Sequence, residues 1–223
     1  MRPDGTDLRQ LTFGSGNNTQ PTLSPDGTSI VFVSNRSGKR QLWRMNTDGR
    51  ELVQLTDLTN DVIRPAFSSD GRTIFFSVSV AGKCNIWQVT VEGGAPSVVT
   101  DADVYEWAIS PDGSQMAYSS FDKEAKAEQT RIVSLRQNEI ETVLNIAPET
   151  WMEWSNDGKA VYFNTAQDDA RNIWRQSLDG SKPQPITSFS AEQVFRFAWS
   201  STGKDLVCIR HTVTFDAVEL RFD

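Results

Sequence analysis

The stretch Gln20-Pro21-Thr22-Leu23-Ser24-Pro25-Asp26-Gly27, with Ile30-Val31-Phe32-Val33-Ser34-Asn35-Arg36 and Leu42-Trp43 after it, contains the unit from which the fold is read. At its centre is a Ser-x-Asp-Gly turn. The Asp of such a turn bonds to the backbone two residues on, and the Gly takes the positive φ that a tight hairpin needs. The β-branched and aromatic residues on either side read as two strands joined by that turn.

The turn returns at Ser68-Ser69-Asp70-Gly71, Ser110-Pro111-Asp112-Gly113 and Ser155-Asn156-Asp157-Gly158, and in degraded form at Ser200-Ser201-Thr202-Gly203. Successive turn glycines are 44, 42, 45 and 45 residues apart. Periods of this length mark arrays and propellers, and this one suits about four short strands per unit. Second-strand runs fill 28–33, 73–78, 115–118, 160–164 and 205–209. A third strand carries a large residue at Leu42-Trp43, Ile86-Trp87 and Ile173-Trp174, with Val218-Glu219 at the same offset in the last unit. In the third unit it arrives late, at Ile132-Val133, which predicts a longer loop over 122–129. Further turns at Thr47-Asp48-Gly49, Glu92-Gly93-Gly94 and Asp179-Gly180-Ser181 lead to fourth strands ending in Thr56, Thr100 and Thr187.

The opening residues Pro3-Asp4-Gly5-Thr6-Asp7-Leu8-Arg9-Gln10-Leu11-Thr12 match 46–56, so the chain starts on a fourth strand. The last unit has only strands one to three. The expected fold is therefore all-β: one β-propeller domain over 1–223, with five four-stranded antiparallel blades. The blade units are 18–56, 60–100, 101–145, 146–187 and 188–223 plus 1–12, the N-terminal strand closing the ring by joining the C-terminal blade. Closure removes unpaired sheet edges.

These residues resemble the TolB-like β-propeller repeat, also called the WD-like or PD repeat. Val194-Phe195-Arg196-Phe197-Ala198-Trp199-Ser200 more weakly resembles propeller domains fused to bacterial serine/threonine kinases or winged-helix regulators. The first resemblance implies a propeller in a bacterial periplasmic or otherwise extracytoplasmic protein. The family's namesake has six blades and a preceding domain, whereas five units are read here. Thr202 in place of the turn Asp and the missing Trp in the third unit depart from the pattern.

Composition bounds the function. A net charge of −7 argues against nucleic acid, whose affinity for proteins comes largely from Lys and Arg displacing counterions. No apolar run approaches the roughly 20 residues needed to span a bilayer, so no direct membrane insertion is expected. Met1-Arg2-Pro3-Asp4-Gly5 runs directly into turn chemistry without a signal-peptide pattern, as a segment cut from a larger protein would. Cys84 and Cys208 have neither metal nor disulfide spacing.

Little catalytic chemistry is legible. His211 is the one histidine and has no ligand cluster around it in the sequence. Gly14-Ser15-Gly16 lacks the spacing of a nucleophile elbow, and Gly203-Lys204-Asp205 lacks that of a phosphate loop. Asp101-Ala102-Asp103 and Asp168-Asp169 do not follow a Ca²⁺ loop. No catalytic residue, cofactor or metal is expected, and Trp43, Trp87 and Trp174 read as packing between blades.

One column differs. Four residues before each turn Ser stand Gln20, Arg64, Glu106, Trp151 and Arg196. Innermost propeller strands begin at one face, so these five are expected to ring the channel mouth beside the loops entering each blade. Arg and Trp dominate interface energetics, and two arginines suit a carboxylate-bearing tail. The expected function is a non-catalytic protein- or peptide-binding scaffold or sensor domain. The alternatives are an accessory propeller of a hydrolase or lyase, or an engineered or structural repeat scaffold without natural ligand. A monomer is expected, with a strand-swapped oligomer the other form open to it.

Overall fold

The structure is a computed structural model that describes residues 6, 8–14, 16–137, 139–147, 151–167, 170–200 and 204–212. Its architecture is that of an all-β propeller with four blades, and the chain divides into two compact units, 1–105 and 106–223.

The first unit holds two four-stranded sheets. One runs in order through β1 (Asn18–Leu23), β2 (Ser29–Ser34), β3 (Gln41–Asn46) and β4 (Val53–Gln54). The other runs through β5 (Val62–Phe67), β6 (Thr73–Val80), β7 (Lys83–Thr90) and β8 (Ser97–Thr100). Strands with alternating apolar residues bury one cluster that includes Val31, Leu42, Val62, Ile74 and Phe76.

The second unit holds the sheet β9 (Val104–Ile109), β10 (Gln115–Asp122), β11 (Ala127–Ser134) and β12 (Ile140–Leu144), whose first strand starts just before the division. It also holds a sheet of six strands: β13 (Met152–Trp154), β14 (Ala160–Gln167), β15 (Ala170–Ser177), β16 (Gln184–Pro185), β17 (Glu192–Trp199) and β18 (Leu206–Thr212). Ile132, Met152, Trp154 and Phe163 belong to its main core.

The turn is built as its chemistry predicts. In four copies the Ser hydroxyl donates to the Asp Oδ1 at 2.6 Å, at Ser24, Ser68, Ser110 and Ser155. The same hydroxyl accepts the backbone N–H five residues on, at 2.9 to 3.0 Å. Residues 201–203 of the degraded copy lie outside the described residues, yet Asp205 still donates its N–H to Ser200 Oγ at 3.2 Å. The fourth strands pair briefly, and their threonines complete the edge. Thr56 Oγ1 accepts the Leu42 N–H and Thr187 Oγ1 the Ile173 N–H, both at 2.9 Å.

Two expectations are corrected. Five blades with a closed ring are not what the structure shows: among the described residues there are four sheets, and ring closure is not shown. The fifth unit supplies only the hairpin β17–β18 among the described residues, too little to stand alone. It joins the fourth sheet through one parallel pair, Arg171 with Gln193. The ladder of β16 covers Trp174 and Arg175 of β15, and β17 meets the same strand at Arg171. Residues 8–14 form no strand, while 1–5, 7 and the expected third strand at Val218-Glu219 lie outside the described residues. The polar stretch 122–129 is not a long loop either. It lengthens the β10–β11 hairpin to the pair Asp122 with Ala127, and the Asp122 carboxylate caps the turn by accepting the N–H groups of Glu124 and Ala125 at 2.8 Å.

Candidate functional site

The column four residues before the turn Ser coincides with a break in the first strands. Register slips between Thr19 and Thr22, between Ile63 and Ala66, and between Val194 and Arg196, so a bulge stands at each. Gln20 and Arg64 sit there with φ of 53° and 57°, a left-handed backbone that costs a residue with a Cβ about 1 kcal/mol or more. Pro21 and Pro65 follow, and in a bulge their missing N–H removes no ladder bond. Bulges re-aim side chains, and here they turn the polar residue out of the strand's alternation.

In the first unit the exposed Gln20 accepts the Arg64 N–H on its side-chain Oε1 at 2.7 Å, which ties one bulge to the next. The Arg64 Nη1 donates to the Tyr105 carbonyl at 3.3 Å.

In the second unit Glu106 is buried, at 4% exposure, and its N–H donates to Ser119 Oγ at 3.1 Å. The N–H of Trp151 donates to Asn164 Oδ1 at 2.9 Å. Asn164, wholly buried, gives its Nδ2 protons to the carbonyls of Val194 at 2.8 Å and Phe195 at 3.2 Å. One side chain therefore fixes both Trp151 and the bulge beside Arg196. The guanidinium of exposed Arg196 lies 4.7 Å over the Trp151 ring. Below, the indole Nε1 donates to Glu153 Oε1 at 3.2 Å. Burial pushes the Glu153 carboxyl up from 4.5 to about 7; the indole bond pulls it down, and the charge of Glu106 raises it further.

Other cations around this bulge also rest on rings. Arg171 lies 5.7 Å from the Phe195 centroid and Arg210 4.8 Å from that of Phe189, while His211 stacks on Phe195 at 4.4 Å. His211 is thus an exposed stacking residue. Asp103 accepts the Cys84 N–H at 3.0 Å, a structural use of that acidic pair, and Asp168-Asp169 lies outside the described residues. Cys84 and Cys208 are free thiols.

The structure brings Gln20 together with Arg64, and Trp151 with Arg196. Sequence reasoning missed Glu153, Asn164 and Ser119. The last two carried a signal, since six residues after the turn glycines stand Val33, Ser77, Ser119, Asn164 and Ile209, and a polar residue there interrupts an otherwise apolar strand.

Residues 1–207 match the family model of the tricorn protease N-terminal beta propeller domain. A TolB homolog of Chlorobium luteolum is 46% identical over 43 residues, 19% of this chain and 10% of that protein, so the match spans a tenth of its length. Among solved structures, a putative TolB from Agrobacterium tumefaciens superposes with a TM-score of 0.72 at 21% identity, covering 93% of this chain and 75% of that one. An oligogalacturonate lyase from Vibrio parahaemolyticus gives 0.70 at 19% identity, covering 91% and 62%. At these identities the structural likeness shows the fold alone.

Proposed function

The chain belongs to the tricorn protease N-terminal beta propeller domain family, and on that basis we propose that it is a non-catalytic protein- or peptide-binding scaffold or sensor domain. Its partner docks in the second unit on Trp151 and Arg196 and the loops beside them, and the first unit carries a polar pair of its own, Gln20 with Arg64. The likeness to TolB supports a protein partner and an extracytoplasmic setting.

The observation that carries this reading is Arg196. Its guanidinium lies over the Trp151 indole and has no hydrogen-bond partner among the described residues. A guanidinium held by a ring keeps its N–H edge for a carboxylate fork, and part of the side chain's ordering entropy is already lost before binding. In a chain of net charge −7, Arg196 places positive charge on this sheet, where Arg210 is paired with Glu192. An acidic side chain or free C-terminal carboxylate of the partner matches it.

The test is calorimetric titration with an acetylated hexaglutamate peptide. Arg196→Ala is expected to weaken binding by about thirtyfold, the scale of an interface hot spot, and Arg64→Ala by less, with far-UV circular dichroism unchanged. Full affinity in Arg196→Ala would place the anchor elsewhere.

A further inference from the structure

Resting on that reading of Trp151 and Arg196 as the partner's seat, we infer that the seat is coupled to a proton on Glu153, so that an acidic partner is held more tightly as the solution becomes more acidic.

The coupling stands on contact. Glu153 touches the seat directly, since its Oε1 accepts the indole N–H of the ring on which Arg196 rests. Glu106 on β9 is buried, and its charge acts on the Glu153 carboxyl. A carboxylate withdrawn from water, with the charge of a second carboxylate acting on it, resists ionising. Glu153 carries its proton into the neutral range for that reason, burial being the larger cause.

The sign follows from charge. With Glu153 neutral, Arg196 presents its positive charge to an incoming carboxylate with one buried negative charge beneath it. With Glu153 ionised, a second negative charge lies under the indole, competes for the guanidinium and repels the ligand. Binding of an anion therefore draws a proton onto Glu153.

The other groups facing this site from the packed strands are few. Tyr162 on β14 stands opposite Glu153 in the ladder. Arg196 is on β17, and Arg171 on β15 reaches Phe195. On β18, Arg210 pairs with Glu192 at 2.8 Å and His211 stacks on Phe195. His211 is the one histidine of the chain, so it must be controlled.

Two measurements decide the matter. In the free protein, the emission difference between wild type and Trp151→Phe should pass through one transition near neutral pH. Glu153→Gln, an isosteric change, should abolish it, and His211→Gln should keep it. A flat difference, or a transition that disappears with His211, overturns the coupling.

In the second measurement, hexaglutamate affinity should fall roughly tenfold from pH 6 to pH 8.5, the scale of one like charge within about 10 Å at an effective dielectric of about 20. Glu153→Gln should make the affinity constant. Binding by the wild type that does not vary with pH also overturns the coupling. No binding at any pH, with the fluorescence transition intact, instead refutes the partner seat and leaves the proton on Glu153 established.

Discussion

Asn164→Ala removes the side chain that joins Trp151 to the bulge at Phe195, and its cost can be worked from the groups it strands. Three backbone groups lose their partner: the N–H of Trp151 and the carbonyls of Val194 and Phe195. Asn164 and Val194 are both at 0% exposure, so water does not replace the bond there, whereas Phe195 at 41% leaves its carbonyl a route to solvent. At about 1 to 1.5 kcal/mol for each dry group and less for the wet one, the loss is about 3 kcal/mol. For a chain of this length that corresponds to a fall in melting temperature of roughly 6 to 12 °C. Thermal melting followed by circular dichroism at 218 nm would measure it. A fall under about 2 °C would refute the claim that Asn164 fixes the seat.

The pH profile of stability has two limbs. The turn aspartates, led by Asp112 at about 2 under the Ser110 hydroxyl, lie below their ordinary value of 3.8, so their contribution is present above 3.8 and lost as acid protonates them. Glu153 lies above its ordinary 4.5, so its contribution is full below 4.5 and lost as pH rises to about 7, a span worth about 3 kcal/mol. Melting temperature should therefore peak near pH 4 to 5 and decline to neutrality, with Glu153→Gln removing the decline; a wild-type value that climbs from pH 5 to 7 would contradict this. Gly27→Ala and Gly71→Ala should each cost about 1 kcal/mol, because both glycines hold φ near +71°. The 3.5 Å approach of an added Cβ at Gly71 to Pro25 is ordinary contact, so a difference between the two above about 0.5 kcal/mol in urea titrations would show that strain is not the shared cause.

The turns were legible because their chemistry is local: Ser, Asp and Gly within four residues satisfy one another wherever the unit stands. The number of blades was not, because it depends on which distant edges pair. The similarity of 3–12 to 46–56 is a statement about composition, and it did not make residues 8–14 a strand. The joining of β17 to β15 depends on a meeting at Arg171 that exists only once the sheet is assembled. The site was legible as a column of unlike polar residues. Its bulges were not, since neither Gln20 nor Arg64 is a residue type that announces a left-handed backbone. Glu153 was hidden because a charged residue between Met152 and Trp154 reads as the outward position of a strand, and its burial comes from neighbouring strands.

The first strands β1 and β5 each have a copied end and an individual end. The Ser-x-Asp-Gly turn lies at one, the bulge at the other, and the four-residue step from Gln20 to Ser24 puts them about 13 Å apart. Substitutions separated by that distance without shared partners change free energy additively. The column at positions 20, 64, 106, 151 and 196 is thus open to combinatorial rewriting: libraries there would explore new specificities against a constant set of turns, as antibody loops vary over a fixed framework.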